Sequence, residues 1–364
     1  MRVCLISVEI FAWGKYGGFG RATRIIGREL VKRGVEVFAV VPRRPGQKAV
    51  ETLDGITVLG FPPYFPWAAK KLFRQCNADV YHSCEPSYAT HLAMQAMPQA
   101  KHMVTCRYPR DTADWKMELG LPSKNRLQVL FNWFYESSAT VRRSVTRADA
   151  VYTIARDLLP KVERMYGPDV PARFLPTPIP IPEHVRKADS PTVCYVARLD
   201  RRKRPELFLQ LASQFPDVKF LVIGRSRDRR WGEQLEQKFS GLPNLEMLGF
   251  VDQFSSDKAS ETMAKSWVQV NTATYESMPN SILEASAHGC ALLSHVDPDG
   301  FATRFGYHAE QDDFTHGLRF LLEQDRWRGL GQLAAEHVRE TFETGHAMEL
   351  HLQAYRELIG DPER

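Results

Sequence analysis

The stretch Thr274-Tyr275-Glu276-Ser277-Met278-Pro279-Asn280-Ser281-Ile282-Leu283-Glu284-Ala285-Ser286-Ala287-His288-Gly289 decides how this chain is read. Ahead of it lies a short apolar run, Trp267-Val268-Gln269-Val270, and behind it a second, Cys290-Ala291-Leu292-Leu293. Between them Ile282, Leu283, Ala285 and Ala287 suit a helix that Gly289 ends, so the order is strand, loop, helix, strand. Glu276 falls in the loop and Glu284 about one turn into the helix. Carboxylates placed this way can accept hydrogen bonds from vicinal hydroxyls, while the helix-start amides can hold phosphate oxygens. A sugar and a ribose joined by a diphosphate would meet all three demands. Each Glu taken alone reads equally as a solvated loop or helix-face residue, and Pro279-Asn280 as ordinary helix-start chemistry.

The same alternation extends outward. A strand at Thr192-Val193-Cys194-Tyr195-Val196-Ala197 opens the series, with further strands near 219–223, 244–248, 267–271 and 290–294. The first strand runs into Arg198-Leu199-Asp200-Arg201-Arg202-Lys203-Arg204-Pro205, a basic cluster ahead of a helix that can hold a diphosphate or simply be a solvated charge run. Gly224 and Arg225 follow the next strand, and Phe250 the one after, where an aromatic can wall a base pocket or belong to the core. Alternating prolines at Pro176, Pro178, Pro180 and Pro182 stiffen an extended segment and mark a boundary.

Before that boundary a second βαβ series predicts another parallel sheet. Val3 to Val8 leads into Gly14-Lys15-Tyr16-Gly17-Gly18-Phe19-Gly20, a glycine loop before a helix that lets a ligand approach the backbone. Its spacing is not that of a dinucleotide fingerprint. Strands at Asp79-Val80-Tyr81-His82 and Met103-Val104-Thr105-Cys106 place His82, Arg107, Arg110 and Asp111 at the sheet edge where open α/β proteins bind ligands. The two arginines are the sharper candidates for an anionic acceptor, since a lone His such as His82 is more often satisfied by packing. One long helix is expected over about 125–147. Aromatics beside lysines in residues 61–71 suit either an interfacial membrane contact or a packed loop.

With 364 residues and 43% apolar content, the chain can bury two cores. Six cysteines show no paired short spacing, a single Arg precedes the first strand, and no run approaches a membrane span. A cytoplasmic location follows as an expectation, with peripheral contact at the inner membrane face kept open. Residues 1–185 carry 26 Lys and Arg against 16 Asp and Glu, and the remainder 22 against 27. The basic first half therefore suits an anionic small-molecule, glycan or lipid-linked partner. Nucleic acid is not expected, because no zinc-finger, helix-turn-helix or aromatic RNA-binding pattern accompanies the charge.

Taken together, the second half is similar to the nucleotide-sugar domain of the retaining glycosyltransferase family 4. Arg198 and Lys203 match that family's Arg-x4-Lys pair, Glu276 through Glu284 its E-x7-E region, and Gly17-Gly18 its N-terminal glycine loop. The resemblance implies an α/β chain of GT-B fold, two doubly wound Rossmann-like domains facing a central cleft. It implies an acceptor-binding domain over 1–180, a donor-binding domain over 181–345 and a C-terminal helix over 346–364 returning to the first domain. The activity implied is retaining hexosyl transfer from a nucleoside-diphosphate sugar, with Arg198, Lys203 and Glu276 catalytic. Donor contacts would add Gly17, Gly18, Gly224, Phe250, Ser277, Met278, Pro279, Asn280 and Glu284; no metal or tightly bound cofactor is implied, and magnesium would at most stimulate. Two positions depart from the family: Arg107 stands where many relatives carry His, and Ser277 where most carry Gly. Two other readings stay open, a nucleotide-sugar epimerase of GT-B shape and a noncatalytic sugar-nucleotide-binding protein.

Overall fold

The computed structural model describes residues 1–14, 16–121 and 125–360; Lys15 of the glycine loop and residues 361–364 of the expected C-terminal segment lie outside the described residues. The chain divides into two units, Met1–Pro178 together with the chain from Gly345, and Ile179–Thr344.

The first unit is built on strands β1 (Arg2–Ile6), β2 (Glu36–Pro42), β3 (Val50–Leu53), β4 (Ile56–Phe61), β5 (Val80–Ser83), β6 (Lys101–Cys106), β7 (Ala150–Thr153) and β8 (Ala172–Phe174). Among the described residues they pair in the order β3-β4-β2-β1-β5-β6-β7-β8. All neighbours are parallel except β3 and β4. That hairpin turns at Asp54-Gly55, both with positive φ (51° and 83°), the turn chemistry that matches strand twist. Period-two alternation covers the sheet on both faces. Val3 and Leu5 pack with Met348, Leu352 and Tyr355 of the C-terminal helix Thr344–Ile359, whereas Cys4 and Ile6 pack with Phe73, Tyr81 and Leu92.

The second unit has β9 (Thr192–Val196), β10 (Lys219–Ile223), β11 (Leu245–Met247), β12 (Val268–Asn271), β13 (Ala291–Ser294) and β14 (Gly306–His308). Their order is β11-β10-β9-β12-β13-β14, parallel throughout. Val193, Tyr195, Phe208, Phe220 and Leu293 form one core, Cys194, Val196, Leu221 and Ala285 the other. In each sheet the first strand, β1 or β9, is flanked on both sides by later ones. The chain thus reverses its winding beside that strand, and the loops at its C-terminal end diverge to leave a crevice.

All six cysteines are buried free thiols, and among the described residues no helix is long and apolar enough to cross a membrane. The long helix expected over 125–147 is two helices, Arg126–Glu136 and Ala139–Thr146. Ser138 adopts an extended conformation and its hydroxyl accepts from the Val141 amide at 3.3 Å. A hydroxyl that can cap a new helix competes with continuation of the old one, and here it wins. Ser138→Ala is expected to lower the stability of the first unit by about 1 kcal/mol and Ser138→Asp to retain it, read from chemical denaturation followed by circular dichroism.

Candidate functional site

The switch point of the second sheet gathers the strongest constellation. Beyond β9 the chain makes a short 3-10 turn, Arg201–Lys203, capped by Asp200, whose Oδ1 accepts from the Lys203 amide at 3.2 Å. Arg198 precedes the turn, its guanidinium 3.5 Å from Asp200. Beyond the adjacent strand β12, the Thr272 hydroxyl bonds the carbonyl oxygens of Lys203 at 2.6 Å and Arg204 at 2.9 Å. The Tyr195 hydroxyl donates to the same Lys203 carbonyl at 3.1 Å, and the Thr274 amide reaches the Arg202 carbonyl at 3.0 Å. With the two loops fastened in this way, the Lys203 ammonium pairs with Glu276 Oε1, while Asn271 Nδ2 donates to Glu276 Oε2 at 2.9 Å. Lys203 is only 9% exposed. Burial, then the Arg202 guanidinium, pushes its ammonium down to about 7.

Around this pair the remaining candidates take their places. Gly224 has φ 151°, and a Cβ there would stand 1.9 Å from the Ala197 carbonyl oxygen, so close packing of the loops after β9 and β10 requires glycine. Phe250 is 39% exposed with the Arg225 guanidinium 5.9 Å from its ring centroid. Pro279 caps the helix Asn280–Ala287 without a side-chain bond, and Glu284 on that helix is buried. Met278 is buried too, as is Ser277, whose hydroxyl finds no hydrogen-bond partner among the described residues. Among the described residues no cluster of three or more His, Cys, Asp or Glu side chains could hold a metal ion.

The first unit treats its sequence candidates differently. Gly17 caps the helix Gly18–Lys32, but the Glu9 carboxylate lies at that helix start and accepts from the Gly20 amide at 3.2 Å. A Cβ on Gly17 would stand 1.9 Å from Glu9 Oε1. The expected opening for an external anion at Gly17-Gly18 is thus taken by the chain's own carboxylate, which the helix dipole favours.

His82 is fully buried, with Nδ1 2.7 Å from the Tyr355 hydroxyl and Nε2 2.7 Å from Thr105 Oγ1; burial, then His351, holds the imidazole well below its ordinary value. Arg110 forks onto Glu136 (Nε to Oε2 3.1 Å, Nη2 to Oε1), reaches Glu118 at 3.5 Å and lies 3.9 Å from the Trp115 ring centroid. Asp111 caps the helix Thr112–Gly120, accepting from Ala113 and Asp114 amides at 2.9 and 3.1 Å. Each of these three side chains expected at the acceptor thus has partners within the first unit itself. Arg107 is 3% exposed and its Nη1 donates to Thr177 Oγ1 at 3.1 Å, which also turns its guanidinium inward.

Two family models match the chain, "Glycosyltransferase Family 4" over residues 16–181 and "Glycosyl transferases group 1" over residues 179–308. The chain is a GT-B-fold glycosyltransferase related to family 4. Both models describe glycosyltransferases, so the activity in its general form is glycosyl transfer. Solved structures share its fold along nearly its whole length. Sucrose-phosphate synthase from Thermosynechococcus elongatus superposes with a TM-score of 0.77 at 18% identity, covering 99% of each chain. Anabaena Alr3699/HepE, solved with UDP-glucose, gives 0.72 at 13% identity, covering 98% of this chain and 100% of that one. A glycosyltransferase from Rickettsia africae gives 0.67 at 14% identity, covering 98% of each. No curated protein sequence matches the chain.

Several residues that hold the loops at the two sheet edges escape a reading by motif. Asn271 ends an apolar strand with an amide, a signal that was present in the sequence, and Thr272 follows it directly. Glu9 and Glu85 lie in the loops after β1 and β5. Glu85 Oε2 accepts from the Arg107 and Tyr108 amides at 3.0 and 3.2 Å, and burial, then the Glu136 charge, pushes its carboxyl up to about 8. Thr272→Val keeps the shape and removes the hydroxyl that clamps Lys203 and Arg204. A loss of about 1–2 kcal/mol is expected, seen as a lower unfolding midpoint; an unchanged midpoint would show that the two loops hold without it.

Proposed function

We propose that the glycosyltransferase moves a hexosyl group from a nucleoside-diphosphate sugar to a hydroxyl of an anionic acceptor, retaining the anomeric configuration. The observation that carries this reading is the convergence of Arg198, Lys203 and Glu276 on the ends of two adjacent strands, cations beside a carboxylate. In this reading Ile179–Thr344 is the donor-binding unit and the basic first unit receives the acceptor. Arg198 and Lys203 take the diphosphate, Glu276 the donor-sugar hydroxyls and Glu284 the ribose hydroxyls. Gly224, Phe250, Ser277, Met278, Pro279 and Asn280 complete the donor contacts.

The acceptor oxygen attacks C1 of the sugar on the face from which the diphosphate leaves. As the new C1–O bond forms, the bond from C1 to the phosphate oxygen breaks, and the acceptor proton passes to the departing diphosphate. Fixed cations at that position stabilise the charge gathering on the leaving group and need little reorganisation. No tightly bound metal takes part in this reading, and magnesium would at most stimulate.

A nucleotide-sugar panel that includes UDP-glucose, scored by thermal shift, tests the donor site. One donor is expected to stabilise the protein by about 2.7 kcal/mol at a hundred times its Kd. Glu284→Ala and Arg198→Ala should each weaken that binding by about 1.5–3 kcal/mol, roughly ten- to a hundredfold in Kd. No shift anywhere in the panel would overturn the donor assignment. Inverted product by NMR would overturn retention, epimer formed without acceptor would make this an epimerase, and donor binding without turnover would leave a binding protein.

Lys203 supplies a pH test. A diphosphate beside its ammonium raises a value that burial has pushed down to about 7 from the ordinary 10.5. Binding is therefore expected to take up a proton above pH 7 and to weaken as pH rises through the higher bound-state value. Titration calorimetry at pH 8 in buffers of different ionisation enthalpy reads this directly, and the uptake should disappear in Lys203→Met.

A further inference from the structure

One face of the first unit has a chemistry that glycosyl transfer does not use. It is made by the helix Ala69–Cys76 with its leading turn Pro66–Ala68, and by the helices Tyr88–Ala96, Arg126–Glu136 and Ala139–Thr146. Tyr88–Ala96 packs against Ala69–Cys76 on one side and Ala139–Thr146 on the other. The Tyr135 hydroxyl, carried by Arg126–Glu136, accepts from the Tyr88 amide at 2.9 Å, so the four helices are neighbours. Large apolar side chains stand in water at two places on it. Tyr64, Phe65 and Trp67 are 87%, 53% and 58% exposed, and Leu127, Phe131 and Phe134 are 77%, 65% and 76% exposed. The second group has the i, i+4, i+7 spacing of a single helix face. Grouped exposed aromatics of this size mark an interaction surface.

The charge on the same helices selects the partner. Their sequences hold one acidic residue, Glu136, and Arg110 already engages it. Lys71, Arg74, Arg142, Arg143 and Arg147 are exposed. Lys70, Arg147 and Arg143 all act on the His91 imidazole, which burial first and these cations next hold below its ordinary value, so basic groups from two flanking helices converge on the middle one. Aromatic rings mixed with cations, and almost no carboxylate, fit the boundary between lipid headgroups and acyl chains: rings enter the interfacial layer while cations meet anionic headgroups.

We propose that this face docks the protein on an anionic lipid bilayer. The proposal stands apart from the donor-site reading, and its test is co-sedimentation of the full chain with phosphatidylcholine vesicles, with and without phosphatidylglycerol. Binding is expected to be about tenfold stronger to the anionic vesicles. It should be lost between 0.1 and 1 M salt, where the screening length falls from about 10 to about 3 Å. Phe131→Ser with Phe134→Ser, and separately Arg142→Glu with Arg143→Glu, should each reduce binding about fivefold or more at an unchanged unfolding midpoint. Failure to bind anionic vesicles, or equal binding to neutral ones, overturns the proposal. So does a dimer in solution that the Phe131→Ser, Phe134→Ser variant converts to monomer, since the face would then belong to a second copy. The donor-induced thermal shift, read on the same preparations, separates failure of docking from failure of the donor assignment.

Discussion

A buried ammonium is the constraint on which the ligand edge of the second unit depends. Removing an ion from water costs several kcal/mol unless a partner and well-placed hydrogen bonds offset it. Lys203 meets that condition through Glu276, and Glu276 is itself aimed by Asn271. The pair can form only if the loop after β9 and the loop after β12 keep a fixed separation, and the Thr272 and Tyr195 hydroxyls on the Lys203 carbonyl supply the fastening. Parallel pairing of β9 with β12 brings the two loops to the same edge in the first place. Charge, loop geometry and sheet order are thus one linked requirement.

The two units answer the same topological opportunity in opposite ways. Both have a switch point beside their first strand, and both place a glycine and a helix start near it. In the second unit the edge carries cations, Arg198 beside Asp200 and the buried Lys203 paired with Glu276. In the first, Glu9 sits at the helix start and Glu85 on the backbone amides after β6, so the edge supplies carboxylates to its own amides. Raising Glu85 toward neutrality by burial reduces the cost of that arrangement near pH 7. The division of charge along the sequence, basic first and acidic second, is therefore not the division of charge at the two edges. Much of the first unit's basic excess lies on its helices instead, beside the exposed aromatics.

The alternation of strand and helix was legible because it rests on local rules. The continuous apolar run of β1, short apolar runs bounded by polar loops, and the glycine that ends the helix at Gly289 are set by residues close together in the chain. The two Rossmann-like sheets follow from them. The break at Ser138 was missed for an equally local reason: a serine hydroxyl can either ride on a helix or cap the next one, and composition does not choose between the two. The bond from His82 to Tyr355 spans 273 residues of sequence, and nothing near His82 foretells it.

By itself, then, the sequence determined the fold class, the parallel pairing of the βαβ series and the placement of Arg198, Lys203 and Glu276 in the loops after two strands, because periodicity and turn chemistry act over a few residues. Only the tertiary structure decided which polar groups remain for a ligand and which serve the protein. Arg110 and His82 look as available in the sequence as Arg198 does, yet a carboxylate and hydroxyls from elsewhere in the fold engage them. The physical reason is that a buried polar group must find its partner wherever packing brings one, and that partner can come from any distance along the chain.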